Sequence, residues 1–212
     1  MYIPPHSLIE DIQEIHSFIE KNSFAILVTN NNGTINATHI PVLIEKNEGS
    51  YGTLYCHIAK ANMQWKDFDK DVLVIFPGAH HYISSSWYET DQSVPTWNYL
   101  SVHAYGEMEI VNDRDDKKRI VNELVKYFES EGSTYSTDNL RESYFEGLLK
   151  GIVVFRICIT KPQGKQKLSQ NRSKESQKRV ISELEKAGND DAKQIAELMK
   201  KNLRSKEQKN NF

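Results

Sequence analysis

The chain has 212 residues, 38% hydrophobic and 26% charged, with a formal net charge of −2 and two cysteines. These totals suit one domain of moderate size, or one domain with a short appendage. They exclude a disulfide-built scaffold, and no run approaches the roughly 18 apolar residues of a membrane-spanning helix. The opening "MYIPPHSLIEDIQEI" has no basic region followed by an apolar stretch, which predicts no signal peptide. Cys56 and Cys158 sit in apolar runs without metal-ligand spacing and read as reduced core thiols of a cytoplasmic protein.

In chain order, Ser7 followed by Glu10 is a capping-box pattern. It predicts a helix bearing Leu8, Ile12, Ile15 and Ile19 at helical spacing. "FAILVT" reads as a buried strand, "NNNG" as a turn and "TINATHIPVLIE" as the hairpin partner. "GTLYCHIA" is another strand, "NMQWKDFD" a short helix or turn, and "DVLVIF" a strand ended by Pro77 and Gly78. "TWNYLSVHAYGEMEIV" is a long strand. Short strands at regular intervals suggest an antiparallel barrel or sandwich rather than βαβ units.

Two helices are predicted next, over "DRDDKKRIVNELVKYFES" and "DNLRESYFEGLLK", followed by the strand "GIVVFRICIT". Beyond Pro162, "QGKQKLSQNRS" reads as a polar loop, then two helices and the polar tail "SKEQKNNF". This divides the chain into a body, residues 1–160, and an extension, residues 161–212. The extension carries 14 Lys and Arg against 7 Asp and Glu, while the body carries 13 against 22. An acidic body with a basic tail suggests either a solvated helical surface or a partner bearing phosphates.

Three stretches carry candidate chemistry. In "TWNYLSVHAY", strand alternation puts Trp97, Tyr99, Ser101, His103 and Tyr105 on one face. Such a face suits a wet barrel surface, an oligomer interface or a planar amphipathic ligand. "HIAKANMQWKDF" sets Lys60, Asn62, Gln64 and Lys66 close to Trp65 at a strand-to-helix junction, a reasonable phosphate cradle. "GKQKLSQNRS" surrounds Ser169, Gln170 and Asn171 with Lys165, Lys167 and Arg172, as a charged loop, an anion site or a subunit contact would. The seven histidines form no HExxH or facial-triad spacing, so no metal site is predicted. A haem, needing one axial His, stays open. No GxSxG, Walker loop, GxGxxG or helix-turn-helix pattern is present.

Together, "HIAKANMQW", "YISSSWY", "VPTWNY", "VHAYGE", "GIVVFRI" and "KLSQNRS" occur in the order found in the PaiB family, and "MYIPPH" is similar to that family's usual start. The chain resembles these FMN-binding split-barrel proteins, negative transcriptional regulators of sporulation and protease synthesis. The resemblance implies a mainly β (α+β) fold: an FMN-binding split β-barrel, related to pyridoxamine-phosphate oxidase, with outer helices and a helical C-terminal extension. It implies a homodimer with FMN at the subunit interface. Carried onto this sequence, the cofactor-binding candidates are Lys60, Asn62, Trp65, Ser84, Ser86, Trp87, Thr96, Trp97, Asn98, Lys167, Ser169, Gln170, Asn171 and Arg172. Lys60 and Arg172 are the leading phosphate contacts. Lys60 stands where the family favours Arg, which removes bidentate contact, and Ser85 where it commonly has Pro. The expected function is an FMN-binding, dimeric negative transcriptional regulator that reaches DNA through the basic extension, with Lys174, Lys178, Arg179, Lys200, Lys201 and Arg204 as phosphate contacts. A flavin-dependent oxidoreductase and a haem-binding split-barrel protein are the alternatives.

Overall fold

The fold was analysed in a computed structural model that describes residues 1–67 and 71–209, with 206–209 as backbone only. The strands are β1 (Leu8–Ile9), β2 (Phe24–Asn31), β3 (Thr34–Glu45), β4 (Thr53–Ala59), β5 (Asp71–Ile83), β6 (Thr96–Ile110) and β7 (Ile152–Lys167). The helices are α1 (Ile12–Lys21), α2 (Arg114–Phe128), α3 (Glu142–Lys150), α4 (Lys174–Ala187) and α5 (Asp190–Lys209). The strands hydrogen-bond in the order β1-β7-β4-β3-β2-β5-β6, and β6 also pairs with β7, closing six of them into a ring. The chain forms two compact units. The barrel unit is Asp11–Phe76 with Val102–Gln163, and the helical unit is Met1–Glu10, Pro77–Ser101 and Gly164–Phe212.

In the barrel unit, the β2–β3 hairpin turns through Asn32 and Gly33, both at positive φ (50° and 91°). That backbone matches the twist of two-residue hairpins, as "NNNG" predicts. The register opposes Ala25 to Ile40 and pairs Leu27 with Thr38. Ala25, Leu27, Ile40 and Val42 are buried, so one face of the hairpin lines the core. Where β6 meets β7, a Cβ on Gly106 would lie 2.4 Å from the Cys158 carbonyl oxygen, so this crossing requires glycine. Helix α2 starts at Asp113, whose carboxylate accepts from the amides of Asp115 and Asp116, both at 2.9 Å. Its buried Ile120 and Leu124 pack with Tyr55 and Val154.

In the helical unit, α4 is capped by the Ser173 hydroxyl, which accepts from the Ser176 amide at 3.1 Å. The Glu89 carboxylate accepts from the same amide at 3.2 Å and from both serine hydroxyls. These hydrogen bonds hold its pKa below the usual carboxylate range. Gly188, at φ 73°, ends α4, and Asn189 caps α5 by accepting from the Ala192 amide at 2.8 Å. Val180, Ile181, Leu184, Ala192, Ile195, Ala196 and Met199 are buried along these two helices.

Several elements differ from the sequence reading. Ser7 is not a helix cap: it closes a 3-10 turn, and Asp11 caps α1 by accepting from the Gln13 amide at 2.8 Å. Leu8 and Ile9 are strand instead, paired with Lys165 and Gly164. β5 continues through Pro77 to Ile83. The registered β2 pairs use only Leu73 to Ile75, so the missing proline N–H breaks none of those bonds. β7 likewise runs past Pro162 to Lys167, through the stretch read as a loop. Cys158 is exposed rather than core, because β7 alternates and it lies between buried Ile157 and Ile159. Cys56 is buried, and burial pushes its thiol pKa up. The "SKEQK" tail is helical to Lys209, and Phe68 to Lys70, with residues 210–212, lie outside the described residues.

Candidate functional site

The helical unit contains eleven of the fourteen sequence-predicted site residues. Along β6, Asn98, Leu100, Val102 and Ala104 are buried, while Trp97, Tyr99, His103 and Tyr105 are exposed or half-buried. The amphipathic face is therefore real, with Ser101 its buried member. Trp97 is 52% exposed, with the rings of His80 at 6.0 Å and Tyr82 at 5.9 Å. Trp87 lies 6.1 Å from the His81 ring. Ser84 caps the 3-10 turn Ser85–Trp87, accepting from the Ser86 amide at 3.3 Å, and its hydroxyl is 2.8 Å from that of Ser86.

"TWNY" and "KLSQNRS" meet side by side. Lys167 donates to the Thr96 hydroxyl, and Ser169 donates to the Asn98 Oδ1 at 3.1 Å. Ser169 adopts left-handed φ 59°, turning the chain out of β7. The Gln170 amide ties this turn internally, accepting from the Leu168 amide at 2.7 Å and donating to the Gln166 carbonyl at 2.6 Å. Asn98 is fully buried and also donates to Met199 Sδ at 3.6 Å, so it braces the site rather than facing a ligand. Arg172 stacks its guanidinium 4.5 Å from the Tyr88 ring centre. Asn171 is exposed.

A cavity of about 470 Å³ opens beside this turn, lined by Tyr2, Pro4, His6, Ser7, Tyr99, Lys165, Lys167, Gln170 and Asn171. Among the described residues no carboxylate pairs with Lys165 or Lys167. Burial, with the neighbouring Lys165 charge, holds the Lys167 pKa below the ordinary lysine value, and Tyr99 opposes this. Sequence reading missed Tyr2, His6, Ser7 and Tyr99 as part of one site. The available signal was Lys165 and Lys167 at i and i+2, on one face once the segment is taken as strand.

The other three candidates, Lys60, Asn62 and Trp65, are in the barrel unit. Lys60 is exposed, its carbonyl accepting from the Trp65 indole at 3.0 Å. Asn62 donates to the Thr38 hydroxyl at 2.9 Å and accepts from the Gln64 amide at 3.1 Å. Of the three, Asn62 lines a pocket of about 410 Å³ that contains buried Gln64 and Asp67. Gln64 donates to Thr29 Oγ1 at 3.1 Å and accepts from Thr38 Oγ1 at 2.5 Å. The Asp67 carboxylate accepts from Asn31 at 2.7 Å, Asn36 at 2.8 Å and Thr29 at 3.4 Å. The buried polar groups here, Gln64 and Asp67, already have partners, so their network holds the strands.

A ring of six strands in this order is the architecture of a split β-barrel. Residues 1–161 match the family described as "Putative FMN-binding domain", and the chain belongs to that family. It is 39% identical over 206 residues to "Protease synthase and sporulation protein PAI 2" of Bacillus subtilis, covering 96% of this chain and 99% of that one. It is 30% identical over 251 residues to the uncharacterized protein AN0679 of Emericella nidulans, covering 99% and 100%. Among solved structures, the flavocytochrome Anf3 of Azotobacter vinelandii matches at TM-score 0.61 and 15% identity, over 78% of this chain and 72% of that one. The FAD and heme binding protein of Mycobacterium smegmatis matches at TM-score 0.58 and 15% identity, over 76% and 73%. These two likenesses establish the split-barrel fold.

The family's cofactor is FMN, and the residues present suit it. In the helical unit the exposed Trp97 offers a stacking face, Ser84 and Ser86 offer hydroxyls, and Lys167 and Arg172 offer positive charge without a carboxylate partner among the described residues. No described helix is long and apolar enough to cross a membrane.

Proposed function

We propose that the chain is a cytoplasmic, homodimeric, FMN-binding negative transcriptional regulator of the PaiB type, acting on sporulation and protease-synthesis genes. The observation that carries this reading is the 39% identity to the Bacillus protein, which spans 96% of the chain and so runs beyond residue 161, where the family match ends. Residues 1–160 serve as the split-barrel FMN-binding body, and residues 161–212 as a polar segment that contributes to the flavin site and a basic helical extension that binds the partner. In the dimer, the FMN contacts of the helical unit are Trp87 and Trp97, with Ser84, Ser86, Thr96, Ser169, Gln170 and Asn171 as polar groups; Trp65 is the candidate ring of the barrel unit. Asn62 holds Thr38 and the Gln64 amide, and Asn98 holds the Ser169 hydroxyl. Lys167 and Arg172 of the helical unit are proposed to supply positive charge to its phosphate, and Lys60 is the barrel unit's candidate for the same role. FMN, when bound, supplies reversible electron acceptance.

The charge pattern of the extension narrows the DNA contact. Lys200 pairs with Glu185 at 2.5 Å and Glu197 at 2.9 Å, and Arg179 with Glu175 at 3.3 Å. Lys178, Lys201 and Arg204 are exposed without an ion pair among the described residues. These three are the proposed phosphate contacts, together with Lys174. The test is binding to promoter fragments across a salt series, comparing the full chain with a Lys178→Gln, Lys201→Gln, Arg204→Gln variant. Removing one phosphate-neutralising side chain should lower the slope of log affinity against log salt by about 0.9. Equal slopes overturn the DNA contact. No promoter binding even at low salt, with steady NAD(P)H oxidation by the FMN-loaded protein, would favour the flavin-dependent oxidoreductase, and a Soret band would favour the haem protein.

A further inference from the structure

We propose that the cavity lined by Tyr2, Ser7, Tyr99, Lys165 and Lys167 is a binding site for an oxyanion, a phosphate or carboxylate group carried on a small molecule, with Lys165 as its buried anchor. Lys165 is only 7% exposed. Its ammonium has three protons to donate, and the protein supplies one acceptor, the Tyr2 carbonyl at 3.0 Å. Beyond that, among the described residues, it meets ring faces, Tyr99 at 5.0 Å and Tyr2 at 5.8 Å. A buried cation is costly unless paired, and no described carboxylate pairs with it.

Two further observations point the same way. Lys167 brings a second positive charge to the same lining, and an anion between two ammonium groups relieves their repulsion. The lowered Lys167 pKa, caused by burial and by Lys165, is the mark of that strain. Ser7, fully buried in the cavity wall, has a hydroxyl with no partner among the described residues. Buried polar groups ordinarily have partners, and this hydroxyl supplies a donor of the kind an oxyanion takes. The volume of about 470 Å³ exceeds what a bare phosphate needs, and the tyrosine rings suit an apolar or aromatic body. The competing role for Lys165, pinning the N-terminal segment through the Tyr2 carbonyl, predicts indifference to anions.

The inference does not depend on the flavin reading, because the probes contain no flavin. Flavin-free full-length protein is titrated calorimetrically with inorganic phosphate, pyrophosphate and benzoate at constant ionic strength. At least one probe is expected to bind. Lys165→Met and Lys167→Met should each weaken binding on the order of tenfold, and Ser7→Ala roughly threefold. Lys165→Arg should stay within a few-fold of the parent, as should Lys161→Met, an exposed position on the same strand. Adding FMN and riboflavin then separates the sources. Competition by FMN but not riboflavin assigns the site to the flavin's own phosphate, and simultaneous binding assigns it to a separate ligand; both support an oxyanion site. If Lys165→Met fails to fold, the contrast between Lys167→Met and Lys161→Met decides. No binding by any probe, or equal binding by Lys167→Met, Lys161→Met and the parent, overturns the proposal.

Discussion

Two of the molecule's pockets are of similar size and opposite character. The barrel-unit pocket, about 410 Å³, holds a buried carboxylate and a buried amide whose hydrogen bonds are met by Thr29, Asn31, Asn36 and Thr38. The helical-unit cavity, about 470 Å³, holds a buried ammonium, a second lysine and an orphaned serine hydroxyl. Size does not separate them. Satisfaction does: a closed network stabilises the fold, whereas an open one with net charge is stable only when something else completes it.

The largest test of that contrast is a pair of substitutions read by urea unfolding. Asp67→Ala leaves donors of Asn31, Asn36 and Thr29 without their acceptor and should cost about 3 kcal/mol or more. Lys165→Met removes an uncompensated buried charge, and its stability should lie within about 1 kcal/mol of the parent or above it. If the two cost the same, the distinction between the pockets fails.

Next in size is the effect of acid on the barrel unit. Burial holds the pKa values of His57 and His103 below the ordinary 6.5. Below that pH the unfolded chain binds more protons than the folded one, so stability falls as pH falls. Replacing both by Gln should flatten the decline, and an unchanged urea midpoint between neutral and mildly acidic pH would contradict it. The helical-unit cavity should respond at the alkaline end instead. Lys167 loses its proton below the ordinary 10.5, so anion affinity should fall as pH rises toward that value, earlier than for an unperturbed lysine. Lys165, Tyr99, Tyr2 and His6 line the same cavity, so the comparison should be made against Lys167→Arg, which keeps its charge through this range. Smallest is Lys200→Gln: its ion pairs are exposed, and no measurable change in the unfolding midpoint is expected.

Much of the fold was legible because its signals are local. "NNNG" marks the first hairpin, and alternation in "TWNYLSVHAY" identifies its wet face. Two of the misreadings share one cause, which is that pairing partners far along the chain override local pattern. Leu8 and Ile9 look like the start of a helix until Gly164 and Lys165 claim them as strand. The stretch through Lys167 looks like a loop for the same reason, because its glycine and lysines carry no strand propensity of their own. That error split the site: Thr96 with Lys167, and Asn98 with Ser169, are joined by tertiary hydrogen bonds across some seventy positions. The family resemblance groups these residues together but leaves out Lys165, Ser7 and Tyr2, which only the folded N-terminal segment brings to the cavity.

The most direct measurement of the central claim, that this chain binds FMN through a phosphate-reading site, is a fluorescence titration of the full-length protein with FMN and with riboflavin. The account predicts saturable FMN binding with one site per chain, weaker riboflavin binding, and a loss on the order of tenfold in Arg172→Ala or Lys60→Ala for FMN but not riboflavin. An FMN signal that does not saturate, or equal affinity for the two flavins in every variant, would contradict it.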